Sequence, residues 1–172
     1  MSFTPSQLSK STLTTTGVDI KKAQSKFEDG GAAFVMGNFK ANGKSFKLKL
    51  VASVTSNGIT ENKWTNNGKD SVTHSLGIKL EDDELEGVTE LETFLATLIP
   101  DNFEITTVIK NNEILYPKVK DKKTFEALSN IKALQVVSGT ECDILANLKF
   151  YRSFKDEKAG LVIQPVKYVF VS

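Results

Sequence analysis

Over residues 45–54 apolar and polar side chains alternate with a period of two. Phe46, Leu48, Leu50, Ala52 and Val54 fall on one side, and Lys47, Lys49, Val51 and Ser53 on the other. That alternation predicts a strand with one buried face and one mainly exposed face that is basic at its start. A second strand is predicted over 32–39, joined to the first by Asn42-Gly43, a pair that tolerates positive φ in a tight turn. Residues 56–70 read as a loop or an irregular hairpin, and 72–80 return to an extended pattern in which Gly77 marks a bulge or a close backbone approach. Further strands are predicted over 103–110 and 113–119, about a turn at Asn111-Asn112, and over 134–137, 142–150 and 161–171. In the last of these Pro165 implies an edge, a bulge or a strand end.

Over 84–99 the period changes. Leu85, Val88, Leu91, Leu95 and Leu98 recur at spacings of three and four, with Phe94 and Ile99 broadening the stripe, which predicts an amphipathic helix. Asp82 or Asp83 is the expected cap, and Pro100 lies just past the end. Shorter helices are expected at 21–27 and 125–131. The Ser/Thr-rich stretch 1–16 reads as a flexible N-terminal arm ahead of a single β-rich domain over 17–172. Strands, one substantial helix, then strands again predict a mainly β fold, an OB-like small antiparallel barrel with an inserted amphipathic helix. A β-sandwich is the competing architecture.

Charge sharpens this picture. The chain carries a net charge of only +1, but residues 81–104 are −9 and everything outside them is +10. The helix is therefore the acidic exception in a basic β protein, and its carboxylates are expected to lie away from any anionic partner. With one cysteine, Cys142, no intrachain disulfide exists, and its place in an alternating run predicts a reduced, buried thiol. Met1 to Pro5 show no basic start followed by an apolar run, and no stretch reaches the roughly 20 apolar residues of a bilayer span. An intracellular, non-membrane setting is the expectation.

Little in the sequence suggests catalysis. His74 is the only histidine, which excludes a Cys/His metal site within one chain, and Glu81-Asp82-Asp83-Glu84 lacks the glycine spacing of a calcium loop. There is no phosphate-binding glycine loop and no serine-nucleophile elbow, so a non-enzymatic protein without cofactors is expected.

Basic and aromatic residues carry the remaining signal. Lys40, Lys44, Lys47 and Lys49 cluster about the first hairpin beside Phe39 and Phe46, an interleaving that joins phosphate attraction to base stacking. The competing reading has the phenylalanines in the core and the lysines in water. Trp64 lies in a polar segment with few apolar neighbours, Tyr116 precedes Lys118 and Lys120, and Tyr151 points away from the Cys142-to-Phe150 face beside Arg152. Each aromatic either stacks on a base or caps the domain's own core.

The segments Cys142-Asp143-Ile144-Leu145-Ala146-Asn147-Leu148-Lys149-Phe150-Tyr151 and Ala159-Gly160-Leu161-Val162-Ile163-Gln164-Pro165-Val166-Lys167-Tyr168-Val169 resemble the closing strands of virus- and phage-encoded single-stranded-DNA-binding proteins with an oligonucleotide-binding fold. The resemblance covers about the last 30 residues. It implies sequence-tolerant binding of single-stranded DNA in replication, recombination or repair, in a virus-infected host cell, with Phe150 or Tyr151 matching the aromatic strand end by position and Tyr151 preferred because its face is expected to be less buried. RNA is the second nucleic acid to consider, and self-association enters as a second partner class. The alternative is a non-catalytic viral structural or protein-interaction domain.

Overall fold

In the computed structural model, which describes residues 1–16, 20–31, 34–99, 103–120, 122–129 and 136–171, alternation is carried directly into a curled antiparallel sheet. In chain order the elements are β1 (Ser2–Phe3), α1 (Pro5–Leu8), β2 (Leu13–Thr16), α2 (Ile20–Glu28), β3 (Phe34–Ala41), β4 (Lys47–Asn66), β5 (Lys69–Leu80) and α3 (Asp82–Leu98). Four two-residue strands follow, β6 (Glu104–Ile105), β7 (Ile109–Lys110), β8 (Ile114–Leu115) and β9 (Lys118–Val119), then α4 (Lys122–Leu128), β10 (Glu141–Ser153) and β11 (Lys158–Phe170). The sheet runs β2-β3-β10-β4-β5-β8-β7, with β11 on the other edge of β10. It forms a half-barrel with an inserted helix, an OB-like small barrel.

Burial follows strand parity. Leu48, Leu50, Ala52 and Val54 of β4, Leu76, Ile78 and Leu80 of β5, and Cys142, Ile144, Ala146, Leu148 and Phe150 of β10 form the inner wall. Val88, Leu91 and Leu95 of α3 and Phe125 of α4 join the same core. Burying one such side chain stabilises the fold by about 1.5–3 kcal/mol, so the period-two pattern is also the energetic frame. The N-cap of α3 is Glu81, one residue before the expected aspartates, and its side chain makes no capping bond. Asp82, Asp83 and Glu84 instead occupy the first turn, where negative charge is favourable.

Two expectations are corrected and one pair of alternatives is decided. Residues 1–16 are paired and packed where an arm was expected. β1 pairs in parallel with β4, Leu8 is fully buried, and Thr4 and Gln7 form a reciprocal capping box around α1. Ser6 donates its backbone N–H and its hydroxyl to the Glu84 carboxylate at 2.9 and 2.7 Å, tying α1 to α3. One leucine and one capping motif order a segment whose overall composition is polar.

Over 56–70, where a loop or an irregular hairpin was expected, the structure has the hairpin. β4 runs on to Asn66 after a register shift between Val54 and Ile59, then returns through Asn67 and Gly68, both at positive φ. It is a long one. The second correction is at 103–119, which holds four two-residue strands where two longer ones were expected. The end of the helix expected at 125–131 and the first half of the strand expected at 134–137 fall in 130–135, outside the described residues; Val136 and Val137 are not in a strand.

Candidate functional site

β10 divides the molecule. Its edge toward β3 and β4 changes partner along its length, since Lys149 to Ser153 pair with β3 and Glu141 to Ala146 with β4. Asn147 and Leu148 fall between the two ladders. A groove of about 380 Å³ opens there, with Lys40, Lys47, Lys149, Asn38 and Asn147 among its lining residues and no Asp or Glu. The Lys47 ammonium donates to the Asn147 side-chain carbonyl across the gap. Three ammonium groups with no facing carboxylate make a local positive potential that a phosphate can neutralise.

Next to the groove the outer face becomes aromatic. Tyr151 pairs with Met36 on one side and Gly160 on the other. Its ring lies over Gly160, where an added Cβ would come within 2.9 Å of it, and stacks on Phe34 with centroids 5.6 Å apart and planes 11° from parallel. Phe34 is 52 % exposed and Met36 43 % exposed. The result is a flat, accessible ring surface beside a cationic groove.

A second groove of about 470 Å³ lies at the open seam of the half-barrel, between β8–β9 and β11. Lys110, Tyr116, Lys118 and Lys120 line it, again without a carboxylate. The Tyr116 ring rests on Gly77, where an added Cβ would meet it at 2.8 Å, so Gly77 marks the close approach expected of it. Thr73, also in this wall, has a buried hydroxyl with no hydrogen-bond partner among the described residues.

The expected residues therefore divide. Lys40 and Lys47 meet Lys149 in the first groove, and Tyr116, Lys118 and Lys120 meet in the second. Lys44 is exposed in the β3–β4 turn outside both. Lys49 lies beside Lys167 and Asp143 in a shallow groove of about 300 Å³. Trp64, 47 % exposed, stands farther out on the β4–β5 hairpin. It pairs with Ser71, on the face that also carries Thr73 and, through Ser75, Lys118. Phe39 is buried against Phe150, and Phe46 sits edge-on to Phe3. Lys149, Asn38, Asn147, Phe34, Met36 and Lys110 were not anticipated; for Lys149 the signal was there, since it shares the outward parity of Tyr151.

Arg152 is a correction. It is 2 % exposed and points inward, its guanidinium 4.3 Å from the Phe103 ring centroid and 4.8 Å from that of Phe154. Nε and Nη1 have no hydrogen-bond partner among the described residues, and burial pushes its pKa down. Strand parity places it on the inner wall, and the two rings hold it by cation–π attraction.

The acidic helix lines neither basic groove, but it reaches the wall of the second from behind, because Thr107 and Val108 line that groove and both bond its Glu92. Its buried Glu92 accepts from the Thr107 hydroxyl at 2.7 Å and from the Val108 N–H at 3.0 Å, and with Glu86 it borders a separate cavity of about 570 Å³. Cys142 is a buried free thiol, pushed up to about 12 by burial and by the neighbouring Asp143 carboxylate. Among the described residues no cluster of His, Cys, Asp and Glu is arranged to hold a metal ion, and no helix is long and apolar enough to cross a membrane.

Compared with protein families, curated proteins and solved structures, the chain finds no match in any of the three.

Proposed function

We propose that this chain is a non-catalytic, sequence-tolerant binder of single-stranded DNA, of the kind that replication, recombination and repair require. The observation that carries the reading is the carboxylate-free groove of Lys40, Lys47 and Lys149 beside the exposed Phe34–Tyr151 stack. Lysines attract backbone phosphates in a salt-dependent way, and aromatic faces accept any base. The OB-like fold is compatible with that use. Unpaired bases are needed to reach the rings, so duplex DNA is expected to bind more weakly.

Fluorescence anisotropy with labelled single-stranded DNA, single-stranded RNA and duplex DNA across a salt series tests the reading. Tighter single-strand binding that weakens as salt rises supports it, and the RNA arm assigns the sugar preference. Equal affinity for single strands and duplex at low salt would refute it. A second reading, a protein-interaction surface, is favoured by the exposed Phe34 and Met36 on the same face. Concentration-dependent self-association in light scattering, without oligonucleotide affinity, would select it.

A further inference from the structure

We infer that the seam groove is a second subsite for the same nucleic-acid strand, so that the bound strand crosses β10 and β11 from the Phe34–Tyr151 rings to Tyr116. This rests on the single-strand reading above and extends it to the path and length of the ligand.

Strand register supplies the continuity. Asn147 and Lys149 line the first groove and pair directly with Gln164 and Val162 of β11, which line the second. Cross-strand partners share a face and neighbouring strands lie about 4.8 Å apart, so one strand spacing separates the two grooves. Neither groove has an Asp or Glu in its lining, and the carboxylate behind the seam wall, Glu92, is buried and already accepts bonds from Thr107 and Val108. Rings stand at both ends, Tyr151 on Phe34 at one and Tyr116 on Gly77 at the other. Behind the seam wall the Thr73 hydroxyl is buried without a hydrogen-bond partner among the described residues.

The barrel is also open where the second groove lies. Among the described residues β11 pairs with β6 only at Lys158 and Ala159, and the next bridge on that edge is Ser129–Tyr168, while β9 lies close to β11 without forming a ladder with it. Between them the strand edge faces the groove. An extended chain lying there would meet main-chain donors and acceptors as well as Lys110, Lys118 and Lys120.

The test titrates the full chain with labelled oligothymidylates of about 4 and about 12 nucleotides, the lower and middle parts of the range for one OB fold, at several salt concentrations. The wild type is expected to bind the longer one more tightly and with a steeper salt dependence. The Lys118→Ala/Lys120→Ala variant is expected to lose about 1.4 from the log–log salt slope for the longer oligonucleotide, at about 0.7 per single-strand phosphate contact, and to bind the shorter one unchanged. A charge-matched Lys10→Ala/Lys155→Ala control alters neither, because both lysines are exposed outside the grooves. A longer oligonucleotide with a photoreactive base at one end only is expected to cross-link at one groove and not at both.

If the seam variant binds the longer oligonucleotide with wild-type slope and affinity, the second subsite is wrong while the first groove stands. Equal losses for both lengths would also overturn it, by making the seam the primary site. If the wild type binds neither length at low salt, the single-strand reading itself has failed.

Discussion

The two faces of β10 lie in different environments, although their residues alternate one by one. Cys142, Ile144, Ala146, Leu148, Phe150 and Arg152 are buried, whereas Asp143, Leu145, Asn147, Lys149 and Tyr151 are half-buried on the outside. The inner row holds the fold together. The outer row carries a cation and a ring that the core does not need. A single strand can therefore serve stability and recognition independently, because pleating separates its two sets of side chains. Tyr151 and Arg152 show the division most sharply, since they are adjacent in sequence and face opposite environments.

The largest expected effect breaks the inner row. Phe150→Ala removes a buried ring that packs on Phe39 and covers Gly37, and should lower the free energy of unfolding by about 3–5 kcal/mol in urea titrations. The oligonucleotide affinity of whatever remains folded should be retained. An affinity loss matching Tyr151→Ala would mean that the two faces are not separable.

The next test acts on the inner row through pH. Cys142 keeps its proton until about 12 in the fold, against 9.0 ordinarily, and burial together with the nearby Cys142 raises Tyr168 above its usual range too. The unfolded chain deprotonates first, so this contribution to stability is whole below about pH 9 and is lost as pH rises toward 12. The urea midpoint should fall over that window, and Cys142→Ala should flatten part of the fall. An identical pH profile in the variant would remove Cys142 from the account.

Three tests address the outer row and its boundary. Tyr151→Ala should weaken single-strand binding by about 1–3 kcal/mol, the worth of one base stack, with little change in thermal stability. Lys149→Gln should reduce the log–log salt slope by about 0.7, the share of one single-strand phosphate contact. Arg152→Met should leave affinity and slope unchanged, because the guanidinium never reaches the outer face. A slope change there as large as that of Lys149→Gln would return Arg152 to the binding surface.

Much of this was legible from local pattern. The β10 and β11 strands, the Asn42-Gly43 turn, the acidic helix and the bulge beside Pro165, where Ala146 and Leu145 pair with Pro165 and Lys167, all follow from spacing and residue chemistry. Arg152 was expected beside Tyr151 on the binding surface because of its charge, whereas the alternation of β10 continues through it and buries it. The candidate site was legible only in parts. Lys40 and Lys47 were visible as a cluster, whereas Lys149 joins them from about a hundred residues away because β10 changes partner between Ala146 and Lys149. Phe34 gained meaning only by stacking on Tyr151.

By itself the sequence determined which side chains share a face. That property is local, set by the geometry of a pleated strand or a helical turn and by the free energy of removing apolar groups from water. Tertiary structure alone decided which outer faces adjoin, that residues 1–16 close against β4 and α3, and that β9 and β11 approach without pairing among the described residues. Those outcomes depend on pairing between distant strands and on the curl of the sheet, and no short window of the chain encodes either.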